Sequence, residues 1–261
     1  MLLSSVIIVL REILEASLII SLLLVFSRLE GLKIHWIFAA LVLGITGAIA
    51  YAINFARISE WFEYTGQEIT NAGIQTAIFL LLTAFVVLIR RRPGVNALLF
   101  LAMSSVVALS LTHEGSEILI YMSGLVGNPE LAMALLLGAA LGTGIGISIG
   151  ALFYFGLLAI PRKGSLVIST LLLALFGGNM LSQATVLLIQ ADYLSSGQPL
   201  WDTSALLSEG SLVGELLYAL IGYEASPYPL QVAAYSGGLV LLLGLTLVGR
   251  RTPEPFTNPG N

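Results

Sequence analysis

Six stretches of this chain run for about 20 residues or more without a charged side chain: Trp36 to Ala56, Ile69 to Ile89, Pro93 to Thr112, Leu131 to Pro161, Gly164 to Ala191 and Ala225 to Gly249. At about 1.5 Å per residue, each is long enough as a helix to cross a hydrocarbon layer of roughly 30 Å. Lipid offers no partner to a backbone N–H or C=O, so such stretches must satisfy their own hydrogen bonds as helices. The chain has 57% hydrophobic and only 10% charged residues over 261 positions, and its mean hydropathy is +0.96. That composition excludes a soluble domain with a single anchor and predicts an all-α polytopic membrane protein.

The segment from Leu2 to Ser27 is a seventh candidate span. It lacks a basic leader and a clear small-residue cleavage site, and Arg11, Glu12 and Glu15 interrupt it, so it reads as a retained helix and not as a signal peptide. Basic residues set orientation. They alternate along the chain: Arg28 and Lys33 follow the first helix, Arg90, Arg91 and Arg92 the third, Arg162 and Lys163 the fifth, Arg250 and Arg251 the seventh. The intervening connections carry Glu60, Glu63, Glu68, Glu130, Asp192, Asp202, Glu209, Glu215 and Glu224 against Arg57. The reading is N-terminus outside and C-terminus inside.

One transmembrane domain, residues 1–261, is expected: a first three-helix repeat over 1–92, a second over 93–191, an external loop with a short helix over 192–229, a seventh helix over 230–250 and a cytoplasmic tail over 251–261. In the external loop, Asp202, Thr203 or Ser204 is a candidate cap for the short helix. The apolar stretch from Leu212 to Tyr223 is too short to span, and is expected to lie on the outer face or to re-enter. The loop's acids can gather cations, although loops on that side lack basic residues for reasons of orientation alone.

Chemistry is concentrated in two clusters inside the apolar segments, Arg11-Glu12-Ile13-Leu14-Glu15 and His113-Glu114-Gly115-Ser116-Glu117. A charged side chain at bilayer depth costs about 2.5 to 3.5 kcal/mol on insertion scales, so intramembrane acids are functional by default. In each cluster the glutamates are three residues apart and share a helix face. The first helix is read as running inward and the fourth outward, so both pairs reach a common depth. Three helices followed by three of opposite orientation, with a site between them, is an inverted repeat; the seventh helix stands outside it.

Four carboxylates suit a hard di- or trivalent cation. Glu12, Glu15, Glu114 and Glu117 are therefore the candidate metal ligands, supported by Arg11, which can pair with an acid, and His113, which can ligate or pair. No cysteine is present, which removes disulfides and thiolate ligands and leaves the redox compartment undecided. Asn179 and Gln183, one turn apart, are candidate cavity-lining groups, as are Asn71 and Gln75; interhelical hydrogen bonding is the competing role for both pairs. Gly138, Gly142, Gly146 and Gly150 form a stripe for close helix packing.

The first cluster continued by Ala16-Ser17-Leu18-Ile19, the second acidic cluster, and Leu200-Trp201-Asp202-Thr203-Ser204 followed by Gly222-Tyr223 and Pro227 together resemble the high-affinity iron permeases, or oxidase-dependent iron transporters, and their bacterial members. The resemblance spans nearly the whole chain. It implies import of ferric iron across the plasma membrane, or the inner membrane in a bacterium, with both glutamate pairs required and iron as substrate in place of any resident cofactor. It also implies an extracytoplasmic oxidase or iron-delivering protein as partner. The second cluster departs from the family pattern, with His113 where an arginine is usual.

Two other readings use the same residues. One is a transporter or proton-coupled exchanger for another di- or trivalent cation. The other is an intramembrane metalloprotease built on His113 to Glu117; zinc sites of that type use H-E-x-x-H, and the only other histidine is His35. A non-enzyme is expected. Association into homo-oligomers is left open, and no basic patch points to nucleic acid.

Overall fold

The computed structural model describes residues 2–90, 96–125 and 129–248, and among these every regular element is a helix. They are α1 (Leu2–Leu29), α2 (Trp36–Ser59), α3 (Trp61–Tyr64), α4 (Gly66–Arg90), α5 (Asn96–Leu125), α6 (Pro129–Ala159), α7 (Arg162–Gln190), α8 (Leu212–Ile221) and α9 (Pro229–Val248). Six of them, α2, α4, α5, α6, α7 and α9, are long and apolar enough to cross a membrane. The protein is thus a multi-pass membrane protein. At 28 residues α1 has the length, but the mid-helix charges Arg11, Glu12 and Glu15, with Arg28 near its end, keep it out of the apolar set. Arg91 and Arg92, Gly127, Arg250 and Arg251, and the tail lie outside the described residues.

α1 packs most extensively against α6, and α2 against α5. Both pairs run parallel. The glycine stripe on α6 meets α1 in ascending order: Gly138 lies against Ser5, Gly142 against Val6 and Leu10, Gly146 against Ile13, and Gly150 against Ser17. Backbones this close allow direct bonds between them, and Ser17 and Ser21 donate from α1 to the carbonyls of Gly146 (3.1 Å) and Gly150 (2.8 Å). On the α2 side Ala40, Gly44 and Ala48 are buried. Ser104 of α5 donates to the Trp36 carbonyl at 3.3 Å, Leu111 abuts Gly44, and Gly115 abuts Ala48.

α1 and α5 themselves are antiparallel. Ser5 Oγ lies 3.0 Å from Tyr121 Oη near one end, and seven residues on in α1 and seven back in α5, Glu12 and Glu114 face the same cavity. α7 and α9 are also antiparallel, Gly177 facing Leu242 and Gly178 facing Tyr235. At the other end of the bundle Arg162 reaches Glu30 at 3.5 Å. The apolar core runs through α1, α2, α4, α5, α7 and α9 around Phe26, Ile78, Phe85, Met103 and Leu173, with Phe26 and Phe85 edge to face at 5.4 Å.

The charge-free stretch ending at Thr112 continues as helix to Leu125, as the placing of Glu114 and Glu117 within the fourth helix requires. One local expectation is corrected. The short helix is capped not by Asp202, Thr203 or Ser204 but by Ser211, whose Oγ accepts from Gly214 N at 3.0 Å. Asp202 instead accepts from Ser204 N at 2.9 Å in a local turn. α8 folds back onto the bundle: its Ala219 packs against Leu14 and Leu18, halfway along α1. It stops at Gly222, in the left-handed region (φ 68°), which only glycine adopts freely and where a Cβ would lie 2.6 Å from Asn179 Oδ1.

At Gly142 a Cβ would stand 2.7 Å from the Val6 carbonyl oxygen and 2.9 Å from Leu10 N, so the α1 backbone must yield. Gly142→Ala is expected to destabilise the protein by about 1 to 3 kcal/mol. Gly156→Ala, where a Cβ meets nothing within 4 Å, is expected to be neutral or slightly stabilising. Thermal unfolding of the two variants in detergent checks the contrast.

Candidate functional site

Where α1 crosses α5, a cavity of about 150 Å³ is lined by Arg11, Glu12, Glu15, Gln75, His113, Glu114, Glu117, Gln183, Leu187 and Tyr218. By this measure a water takes on the order of 10 to 15 Å³, so an ion with a first shell of water fits. All four glutamates line the cavity, two from α1 and two from α5, with Gln75 from α4, Gln183 and Leu187 from α7, and Tyr218 from α8. Their depth follows from position: Glu12 lies ten residues after Leu2 and Glu114 eleven before Leu125, about 15 Å from the helix end in each case.

Burial is nearly complete for three of the acids: Glu12 is 3% exposed, Glu15 5% and Glu114 4%. Each pair is matched by its own base. Arg11 Nε lies 3.3 Å from Glu12 and 3.8 Å from Glu15. His113 Nδ1 lies 3.4 Å from Glu114, and its Nε2 3.4 Å from Glu117. Between the pairs, Glu12 and Glu114 face the same cavity. Carboxylates brought into one buried space favour a shared proton or a cation.

No three of the described His, Asp and Glu side chains stand together in ligating geometry, because each carboxylate is turned on its basic neighbour. The four carboxylates line one cavity. Gln75 Oε1 is buried in the same wall without a hydrogen-bond partner among the described residues, a further oxygen that can turn to a cation.

α8 closes one side. Its Glu215 lies 3.9 Å from Arg11 Nε, and the Tyr218 ring centroid lies 5.3 Å from Arg11 Cζ, so Arg11 is held by an acid and an aromatic face from α8 as well as by its own helix. These two residues were not among the candidates, although their i, i+3 spacing in a short apolar helix put them on one face. Gln75 and Gln183 line the cavity. Asn179 does not: it is buried against Gly222, one turn along α7. Asn71 accepts from Tyr51 Oη at 2.8 Å, a helix-to-helix bond.

The family model described as the iron permease FTR1 family matches residues 2–251. No curated protein and no solved structure matches the chain.

Removing the base from the first pair leaves Glu12 and Glu15 buried and unmatched. Arg11→Met is expected to destabilise the protein by about 3 to 5 kcal/mol in the presence of a chelator. Added ferric ion should recover much of the loss by taking over the positive charge. Melting temperatures with and without the metal check both statements; equal melting of variant and parent in chelator would refute them.

Proposed function

The chain belongs to the iron permease FTR1 family, and on that premise we propose that it imports iron, as the ferric ion, through the cavity between α1 and α5. The observation that carries the reading is the convergence of Glu12, Glu15, Glu114 and Glu117 on one buried cavity. Four carboxylates and the Arg11 guanidinium sum to a charge of −3 with His113 neutral and −2 with it protonated. A polyvalent hard cation is the natural counter-charge, and oxygen ligands suit iron(III) better than softer ions.

In this reading α1 is a seventh transmembrane helix, and the molecule is a 3+3 inverted repeat with α9 added. Several observations support it. α1 lies along α6 over most of its length, parallel to a span. The step from Glu12 to Glu114, 102 residues, is also the step from Gly44 to Gly146, and the α2 and α6 stripes hold corresponding partners, α5 and α1. Asn71 and Gln75 in α4 recur as Asn179 and Gln183 in α7, so each half brings one glutamine to the cavity. The Arg162 to Glu30 contact joins two connections that the basic-residue pattern assigns to the cytoplasm.

Iron would arrive from the acidic outer side, exchange part of its water for glutamate oxygens, and leave as one repeat shifts against the other. Arg11 and His113 hold the acids until then. Placement in the plasma membrane, or the inner membrane of a bacterium, and supply by an extracytoplasmic oxidase or iron-delivering protein belong to the same proposal. His113 favours a second reading, transport or proton-coupled exchange of another di- or trivalent cation, because an imidazole adds a titratable base and a nitrogen ligand. A metalloprotease is disfavoured. His35 precedes Trp36, which is level with Ser104, so it stands nine or more residues from His113 along the bundle, on the order of 14 Å.

Uptake of ferric, ferrous and other divalent ions into proteoliposomes tests the proposal. Glu12→Gln and Glu117→Gln should each lower ferric uptake by at least about tenfold, as expected for loss of a charged ligand, while the protein still purifies folded. Ferric uptake at the parent rate by Glu12→Gln would contradict the reading.

A further inference from the structure

A second cavity, of about 290 Å³, lies beside α7, lined by Trp201 and Thr203 of the loop before α8 and by the segment joining α8 to α9. Its walls are largely aromatic and apolar, with Trp201, Tyr223 and Tyr235 among them, and Glu224 is the one charged residue among the described residues that line it. Glu224 does not stand there alone. Gln183 Nε2 donates to Glu224 Oε1 at 3.1 Å, and Gln183 lines the glutamate cavity. Its neighbour Ser182 lines the outer one. One residue pair therefore forms the partition between the two spaces.

The backbone around Glu224 is fixed. Gly222 is seated against Asn179. Tyr223 Oη lies 2.9 Å from Thr203 Oγ1 and donates to the Leu207 carbonyl at 2.9 Å. Ala225 N donates to Glu209 Oε1 at 2.6 Å, and the Ala225 carbonyl accepts from Thr203 N at 2.8 Å. Four bonds around one loop residue hold its carboxylate at the partition, where burial pushes it above the usual carboxylate range while the Gln231 and Gln183 amides draw it back. An amide pair would fill the same space without a charge to bury, so the acid asks for a function.

We propose that Glu224 is the outer loading residue of this permease: a partly hydrated polyvalent cation first binds its carboxylate in the aromatic-walled pocket, then passes Gln183 into the glutamate cavity. The proposal rests on the import reading above. Low-dielectric walls concentrate the field of the single acid on the pocket floor, which raises local cation concentration. Gln183 makes the transfer short: its amide can turn its oxygen to the ion as Glu224 lets go. Glu224 acts on capture and not on the transport step itself.

The experiment measures initial ferric uptake into proteoliposomes from ferric nitrilotriacetate over a range of concentrations, for the parent, Glu224→Gln, Glu224→Asp and Glu12→Gln, with the folded fraction of each fixed by size-exclusion chromatography. Glu224→Gln should raise KM by about tenfold or more, the scale of a lost electrostatic focus, with the maximal rate per folded protein within about twofold of the parent. Glu224→Asp should restore most of the lost affinity. An unchanged KM in both Glu224 variants overturns the loading role, as does a lower maximal rate at parent KM, which marks a structural part. Should Glu224→Gln not fold, Glu224→Ser and Glu224→Ala take its place: the same rise in KM is expected, and a parent-like KM in either folded variant overturns the loading role. Glu12→Gln separates the two claims: its loss of uptake beside a parent-like Glu224→Gln removes the loading residue alone, whereas parent-like uptake by Glu12→Gln removes the import reading.

Discussion

Acids buried halfway along long helices can persist only if their charge is matched where they stand, and the arrangement of this protein follows from how that is done. One base is set beside each pair, Arg11 against Glu12 and Glu15 and His113 against Glu114 and Glu117. The pairs then face the same cavity at the α1 to α5 crossing. A crossing with buried charge at its centre needs firm walls. α6 supplies one through its glycines, α2 another through Ala40, Gly44 and Ala48, and serine hydroxyls on α1 bond across the contact to glycine carbonyls. Small residues let backbones approach, and backbone approach makes those bonds available.

The matching is strong enough to keep the acids buried and weak enough to be replaced. Arg11 is shared among Glu12, Glu15, Glu215 and the Tyr218 ring, and a guanidinium with several partners can give up one without losing its place. On the proposed reading, a cation arriving at Glu12 and Glu114 displaces a weak partner and finds oxygens already close by. α8 then has a definite part: a short helix that both covers the cavity and carries the acid to which Arg11 can turn.

Most of the architecture was legible because lipid leaves few choices. Long charge-free stretches forced helices, and the six apolar spans stand where those stretches fall. The depth of the two glutamate pairs followed from helical rise alone. What the sequence hid depended on partners from elsewhere in the chain. Asp202 had the right chemistry for a helix cap, but the chain between it and Leu212 folds back through Thr203 and Tyr223, leaving Ser211 at the helix start. Asn179 and Gln183 share a helix face in projection, yet the αL turn at Gly222 covers one of them and leaves the other in the cavity. Glu215 and Tyr218 were not legible as site residues because the α8 stretch, too short to span, left open whether it lies on the outer face or turns inward; its place beside α1 gives them their role. The recurrence of Asn71 and Gln75 as Asn179 and Gln183 was in the sequence throughout, and its meaning became visible once both glutamines lined one cavity.

The most direct test of a shared carboxylate site is to see the ion. Crystals of the protein soaked with ferric ion, with diffraction collected at the iron absorption edge, should give one anomalous peak per chain in the cavity between α1 and α5. It should lie within coordination distance of a carboxylate oxygen from each helix, about 2.0 to 2.1 Å for a small hard cation. A peak confined to the outer surface, or bound by residues of one helix alone, would contradict the account.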